Sequence, residues 1–229
     1  MKSTLKNMTK GRSSHVLRTA LLTSVMGLFS LPGMASEGDS DAVAASLAEL
    51  QQRWADIKYS LPQDQQGPAF TQLGDYAEQL VERYPEAAEL HIWAGIIRST
   101  EAGVNGGLGA LGLVKAAKQE FETALELNPL ALEGSAYTSL GALYYQVPSW
   151  PIGFGDEDKA EWHLQRALAI NPEGIDSLYF WGDYLHEQGR DAEARQALES
   201  ALLAPPREGR ELADSGRRGE IRQLLAELE

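Results

Sequence analysis

Apolar residues recur at helical spacing along most of the chain after residue 40. The segment Asp41–Tyr59 carries them at intervals of three or four residues, and Phe70–Tyr84 shows the same pattern before Pro85 stops it. No run of alternating β-branched residues bounded by turns indicates a strand. The pattern therefore predicts an all-α protein built from successive helices.

From Pro85 onward the helical pattern itself repeats. Each of four prolines ends one helix and precedes the next pair of helices, and the last interval, from Pro172 to Pro206, is 34 residues long. Within Ile175–Pro206, the small residues Gly182 and Ala194 allow two helix backbones to cross closely. The four prolines are Pro85, Pro129, Pro172 and Pro206.

This spacing resembles the tetratricopeptide repeat family, in which each repeat is one pair of antiparallel helices. The resemblance covers residues 86–206 and implies a right-handed superhelical solenoid of about three repeats. Residues 36–85 are then expected to form a degenerate N-terminal helix pair, and residues 207–229 a C-terminal capping helix. Ser215 or Asp214 is the expected N-cap of that last helix. In the second helix of each of the first two repeats, the residues that match the family are Ala117, Phe121, Ala124, Ala160, Leu164 and Ala167.

Two of the three repeats carry an insertion between their own helices. The first insertion, residues 101–112, is rich in glycine and includes the pattern Gly107-x-Gly109-x-x-Gly112. In dinucleotide-binding proteins this pattern follows a strand, whereas here it follows a helix. We therefore interpret the first insertion as a flexible turn and predict no cofactor site there.

The second insertion, residues 147–155, has a different composition. Trp150, Ile152 and Phe154 alternate along it, so an extended backbone would turn all three side chains to one side. Two alternatives stay open: the three side chains fold onto the helical core, or they form a clasp for a protein segment or a ligand. Because the inter-helix turns of stacked repeats fall on one edge, we expect both insertions to form a single partner-contacting lip.

In the family that this chain resembles, the first helix of each repeat lines a concave surface on which partner peptides often lie. The positions that this resemblance turns outward mix carboxylates, tyrosines and a histidine, which suits a polar or basic peptide. These positions are Glu89, Ile92, Ile96, Ser99, Ser135, Thr138, Ala142, Tyr145, Gln146, Asp176, Tyr179, Asp183, His186 and Glu187. The candidate partner-binding residues are Ile92, Tyr145, Tyr179, Asp183 and His186, with Trp150, Ile152 and Phe154 of the second insertion.

The first 35 residues have the pattern of a signal peptide. A positively charged start is followed by the apolar run Ala20–Leu31, which is too short to span a bilayer. The small residues Gly33 and Ala35 suit cleavage after Ala35. The pattern predicts an exported, periplasmic protein with no stable membrane span after cleavage.

Composition excludes several classes of function. Without the five Lys and Arg residues of the first 35 positions, the formal net charge falls from −13 to −18, so nucleic acid is an unsuitable partner. The chain has no cysteine, and its later histidines lie on different predicted helices. The carboxylates of residues 156–158 fit the start of a helix, where Asp156 would cap free N–H groups. We predict no enzyme, no cofactor and no metal site.

These observations predict a periplasmic scaffold that binds a protein or peptide through its groove and its enlarged edge. The alternative is an accessory component of solute uptake. Periplasmic tetratricopeptide proteins include the T-component of tripartite ATP-independent transporters, which this chain resembles in export and repeat architecture. That resemblance implies an oligomer that binds a small ligand and a solute-binding protein.

Overall fold

The computed structural model describes residues 37–229, and the regular secondary structure of this range is helical, as the sequence predicts. The predicted signal peptide and its cleavage after Ala35 lie outside the described residues. The helices are α1 Glu37–Ser60, α2 Gln63–Arg83, α3 Ala88–Asn105, α4 Gly107–Leu127, α5 Ser135–Gln146, α6 Glu157–Ile170, α7 Ile175–Glu187, α8 Asp191–Leu202 and α9 Glu211–Glu227. A short 3-10 helix, Ala131–Gly134, precedes α5.

The helices pack in two layers. The odd-numbered helices contact one another in succession from α1 to α9, and each even-numbered helix packs against its neighbours in sequence. Helix α1 also contacts α9. The inner layer of odd-numbered helices therefore closes on itself, and its concave side surrounds a cavity.

One helix-crossing contact occurs three times in this array. An added Cβ at Gly182 would lie 2.7 Å from Leu198 Cγ and 3.3 Å from a backbone oxygen, so a larger residue would force α7 away from α8. The same contact joins α3 to α4 and α5 to α6. Its three pairs are Gly95 with Phe121, Gly141 with Leu164, and Gly182 with Leu198, each partner being fully buried. The close crossings that the sequence predicts are present.

The glycine-rich segment 101–112 is not a flexible turn, and that interpretation is wrong. Helix α3 continues to Asn105, and Gly106 alone separates it from α4. Gly106 and Gly107 have φ angles of 58° and 70°, which glycine adopts at little cost. Val104 and Leu111 pack against the core, and this burial offsets the low helix propensity of the surrounding glycines.

The predicted helix termini are accurate in one place and wrong in another. Asp156 caps α6 by accepting a hydrogen bond from the Lys159 backbone N–H at 3.1 Å, as predicted. Helix α9 begins at Glu211, so Asp214 lies inside it and does not cap it. Asp214 is instead buried and accepts hydrogen bonds from the backbone and side chain of Arg207.

Candidate functional site

The concave side of the inner layer borders a partly open cavity of about 1460 Å³. All five odd-numbered helices contribute to its wall, together with the first turns of α2 and α4. Small-molecule sites usually measure roughly 300–1,000 Å³. The cavity is therefore large enough for an organic ligand.

Much of the cavity wall is apolar and aromatic. Trp54 and Trp93 meet edge to face with ring centroids 5.9 Å apart, and the Trp54 indole donates a hydrogen bond to Thr100 Oγ1 at 3.0 Å. This contact fixes one tryptophan where it faces the cavity. Further apolar residues of the wall are Ile96, Val104, Leu111, Val114, Leu143, Val147 and Phe180.

The wall between α7 and α9 is charged. Asp176 accepts hydrogen bonds from Arg207 Nη1 at 2.7 Å and from Arg217 Nε at 2.8 Å. Burial acts to raise the pKa of Asp176, but the two guanidinium groups outweigh it and hold that pKa well below its usual range. Arg217 also pairs with Glu220 at 2.6 Å and lies 4.3 Å from the Tyr179 ring centre. These charges neutralise one another within the protein.

Arg210 differs from Arg207 and Arg217 in its interactions. Its guanidinium carbon lies 5.0 Å from the Trp93 ring centre, and its Nε is buried with no hydrogen-bond partner among the described residues. Burial lowers the pKa of Arg210, and the positive charge of Arg207 lowers it further. Within the part of the chain that the structure describes, Arg210 thus borders the cavity without a carboxylate partner.

More than half of the predicted outward positions lie on the cavity wall. They come from the second half of α3 and from α5 and α7, so the repeat spacing identifies much of the concave face. These residues are Ile96, Ser99, Ser135, Thr138, Ala142, Gln146, Asp176 and Tyr179. Tyr179 is the member of the candidate partner-binding set that this helical face contributes.

The sequence-based assignment of Ile92 to the partner-binding face is wrong. Its side chain is fully buried in the core and cannot meet a partner. The reason is that α3 packs against α1, α2, α4 and α5, which leaves only one narrow face of the helix at the cavity. Glu89, one turn earlier, does not lie on the wall either.

Three other candidate residues bind each other or a neighbouring helix. Tyr145 donates a hydrogen bond to Asp183 Oδ2 at 2.5 Å, and burial together with that carboxylate raises the Tyr145 pKa well above its usual value. This pair joins α5 to α7. His186 Nδ1 lies 2.8 Å from Asp191 Oδ1, and this hydrogen bond raises the pKa of His186. None of the three lies on the cavity wall.

The three large apolar side chains of the second insertion do not all behave alike: one packs on the helical core, and two are exposed. Phe154 packs edge to face on Tyr144 at 5.9 Å, whereas Trp150 is 86% and Ile152 69% exposed. The backbone N–H of Ile152 donates to Ser149 O at 3.2 Å, so the chain turns here and is not extended throughout. Ile152 borders the cavity. Residues of both insertions line this one cavity.

Sequence reasoning missed the aromatic and basic residues of the wall, namely Trp54, Trp93, Arg207, Arg210 and Arg217. One signal pointed to the arginines. In a chain with 33 Asp and Glu residues, five of the 20 Lys and Arg residues fall between positions 207 and 222. A local concentration of arginines in an acidic protein indicates that their charges have a structural or binding role there.

Residues 37–229 contain no group of three or more His, Cys, Asp or Glu side chains that could hold a metal ion. The absence of enzymatic activity stays a prediction. No helix of that range is both long and apolar enough to cross a membrane. No protein-family model matches the chain, and the search of curated proteins finds no similar sequence.

Proposed function

We propose that this protein is an exported accessory protein whose cavity binds a small organic ligand, as in the T-component-like alternative above. The observation that carries the proposal is the contact between α1 and α9, which closes the inner layer around the cavity. A partly open pocket whose wall is more apolar than polar suits a small ligand. A long peptide lying along an open groove fits it less well.

Specific contacts keep the cavity closed between α1 and α9. Gly216 of α9 lies directly against the ring of Tyr59 of α1, and Lys58 Nζ is 3.7 Å from Glu220 Oε1. Trp93 and Arg210 make a further contact between α3 and the start of α9. The closure therefore rests on packing as well as on charge.

The proposal includes a tetratricopeptide-like solenoid. The two-layer packing and the three repeated glycine crossings support it, since stacked helix pairs repeat their internal contacts. Export to the periplasm rests on the sequence of the first 35 residues.

Filling the cavity tests the proposed function. Gly103 lies on α3 at the cavity wall, and an added Cβ there would meet no atom within 4 Å. We expect Gly103→Leu to keep the fold while it weakens binding of any small molecule that copurifies with the protein by tenfold or more. Mass spectrometry of extracts identifies that molecule, and calorimetry measures its affinity.

The matched control is Gly219→Leu. Gly219 is also helical, also meets no atom within 4 Å at an added Cβ, and lies on α9 outside the cavity wall. This variant should bind like the parent protein. If Gly103→Leu retained full affinity while its thermal stability was unchanged, ligand binding in the cavity would be refuted.

The second candidate function is the scaffold that binds a protein partner, and the exposed pair Trp150 and Ile152 favours it. Large apolar side chains exposed together commonly mark an interaction site. We expect Trp150→Ser/Ile152→Ser to abolish a crosslink formed from the 147–155 loop to a partner. Leu203→Ser, which removes an equally exposed leucine elsewhere, is the control. An unchanged crosslink in the double variant would exclude this loop as the contact.

A further inference from the structure

The inference concerns the chemical class of the ligand and rests on the proposed ligand-binding function. Arg210 differs from the other cations of the cavity in its lack of a carboxylate partner within residues 37–229. Arg207 and Arg217 share Asp176, and Lys58 lies near Glu220. Arg210 has no ion pair among the described residues.

The Arg210 side chain is half-buried, and its buried Nε lacks a hydrogen-bond acceptor in the described part of the chain, which is costly because the lost hydration of that N–H group is not replaced. The stacking of Arg210 on Trp93 replaces only part of it. Carboxylates are plentiful in this acidic chain, and each neighbouring arginine has one. Arg210 therefore presents a guanidinium without an ion pair to any described residue at the cavity wall, and an anionic ligand group can bind there, since arginine binds carboxylates through paired N–H donors.

The surrounding charges limit how negative that group can be. Glu208 and Glu220 lie on the same wall, and Asp176 is close to Arg207. A single unpaired cation among these carboxylates suits a monoanion. A phosphate monoester, with a charge of about −1.5 to −2 at neutral pH, would meet more repulsion.

The other residues of the wall indicate the chemical character of the rest of the ligand. Trp54, Trp93 and Phe180 present aromatic surface near the charged end, and the apolar residues of α3 and α4 continue it. Transfer of apolar surface from water to such a wall contributes roughly 25 cal/mol per Å². A ligand with an extended apolar body and one terminal acid group matches both parts of the cavity.

We propose that the cavity binds a monocarboxylate with an apolar body, whose carboxylate pairs with Arg210 and whose body lies against Trp54 and Trp93. Arg210→Gln removes the charge and leaves a shorter side chain that can still donate a hydrogen bond. Arg210→Lys keeps the charge but not the paired donors. Arg222, which is exposed on α9 and lies outside the cavity wall, offers the matched control.

The experiment titrates the protein with dodecanoate and dodecanol at neutral pH and low concentration, using calorimetry. We expect the parent protein to bind dodecanoate about tenfold to a hundredfold more tightly than dodecanol, the range for one charge-assisted hydrogen-bonded contact. Arg210→Gln should abolish this preference while it keeps dodecanol binding. Arg210→Lys should retain part of the preference, and Arg222→Gln all of it.

Each other outcome overturns the inference. Equal affinity for the two probes in the parent protein would remove the anion site but leave an apolar ligand cavity, and hence the proposed function, in place. Tighter, Arg210-dependent binding of dodecyl phosphate would assign the site to phosphates. Binding of neither probe would exclude this ligand class. The proposed function is judged separately, by the effect of Gly103→Leu on the copurified molecule.

Discussion

At the scale of single residues, His163 is set apart by its surroundings. Its ring stacks on Tyr144 at 5.4 Å and meets Trp162 edge to face at 4.8 Å, and its Nδ1 is buried without a hydrogen-bond partner in residues 37–229. Burial, the main cause, lowers the pKa of His163 to about 4. The folded protein therefore keeps this histidine neutral at neutral pH.

This depressed pKa predicts a loss of stability in acid. Below about pH 6.5 the unfolded chain binds a proton at His163 that the folded chain accepts only near pH 4. Between those values the contribution should amount to about 3 kcal/mol, at roughly 1.4 kcal/mol per pKa unit. We expect His163→Phe to lose less free energy of unfolding than the parent protein between pH 7.5 and pH 4.5, as measured by urea denaturation.

His91 provides the comparison, because its shift has the opposite sign. Burial acts to lower the pKa of His91, but hydrogen bonds to Glu120 Oε2 at 2.6 Å and to Pro85 O at 2.9 Å raise it. Its stabilising contribution is present in acid and is lost as pH rises through the raised pKa. Parallel acid destabilisation of the parent protein and His163→Phe would contradict the assignment to His163.

Which residues face the cavity could be predicted in part. The repeat spacing places Thr138, Ala142 and Tyr179 correctly because their helices each present one face to the concave side. It fails at Ile92, since the number of helices around α3 depends on contacts between distant parts of the chain. Arg210 was not predictable from spacing, because its significance comes from the partner it lacks.

At the scale of helices, Arg98 joins α2 to α3. Its guanidinium pairs with Asp75 at 2.9 Å and Glu78 at 2.7 Å on α2, and with Glu101 at 2.7 Å on α3. Gly74 leaves the space that this side chain occupies. A charged side chain is thus tolerated between these two helices because it is fully paired.

Removal of Arg98 should be strongly destabilising. Glu101 is buried, so among residues 37–229 Arg98→Met would leave this carboxylate with Thr71 Oγ1 as its one side-chain donor, at 2.7 Å. We expect a loss of about 3–5 kcal/mol in the free energy of unfolding. The double variant Arg98→Met/Glu101→Met should recover part of this loss, because no buried charge remains unpaired.

The exposed side of the same cluster is the control for Arg98→Met. Asp75 and Glu78 are more than half exposed, so Asp75→Asn should cost about 1 kcal/mol or less. A mild effect of Arg98→Met, comparable to that of Asp75→Asn, would show that the buried pair contributes little.

Local sequence propensity does not predict the helical structure of the glycine-rich segment of α3 and α4. Five glycines favour a turn by propensity, yet Gly106 alone separates the two helices. Tertiary packing of Val104 and Leu111 decides the outcome. By contrast, the start of α6 is predictable, because Asp156 satisfies a free N–H by itself.

At the scale of the whole molecule, closure between α1 and α9 should depend on Gly216. Any side chain at this position meets the ring of Tyr59. We expect Gly216→Leu to destabilise the protein by about 1–3 kcal/mol, the usual effect of overpacking. Amide hydrogen exchange should increase in α1 and α9 and stay nearly unchanged in the α5–α6 pair.

Gly219→Leu, three residues further along α9 and free of such contacts, should leave exchange in α1 as it is. Uniform acceleration across all helices in Gly216→Leu would mean that the contact does not act locally. The sequence could not predict this closure, since it depends on a contact between helices far apart in the chain rather than on any local pattern.

The contact between the first and last helices also bears on how the chain folds. In an open helical array each unit contacts only its neighbours, so folding can begin anywhere and partly unfolded states can persist. Here the ends of the described chain meet, and the order of synthesis matters. The earlier helices can stack as they are made, but α1 has its final neighbour only once α9 is complete. A nascent chain that stops short of α9 would expose Trp54 and Trp93 to any chaperone that recognises aromatic surface.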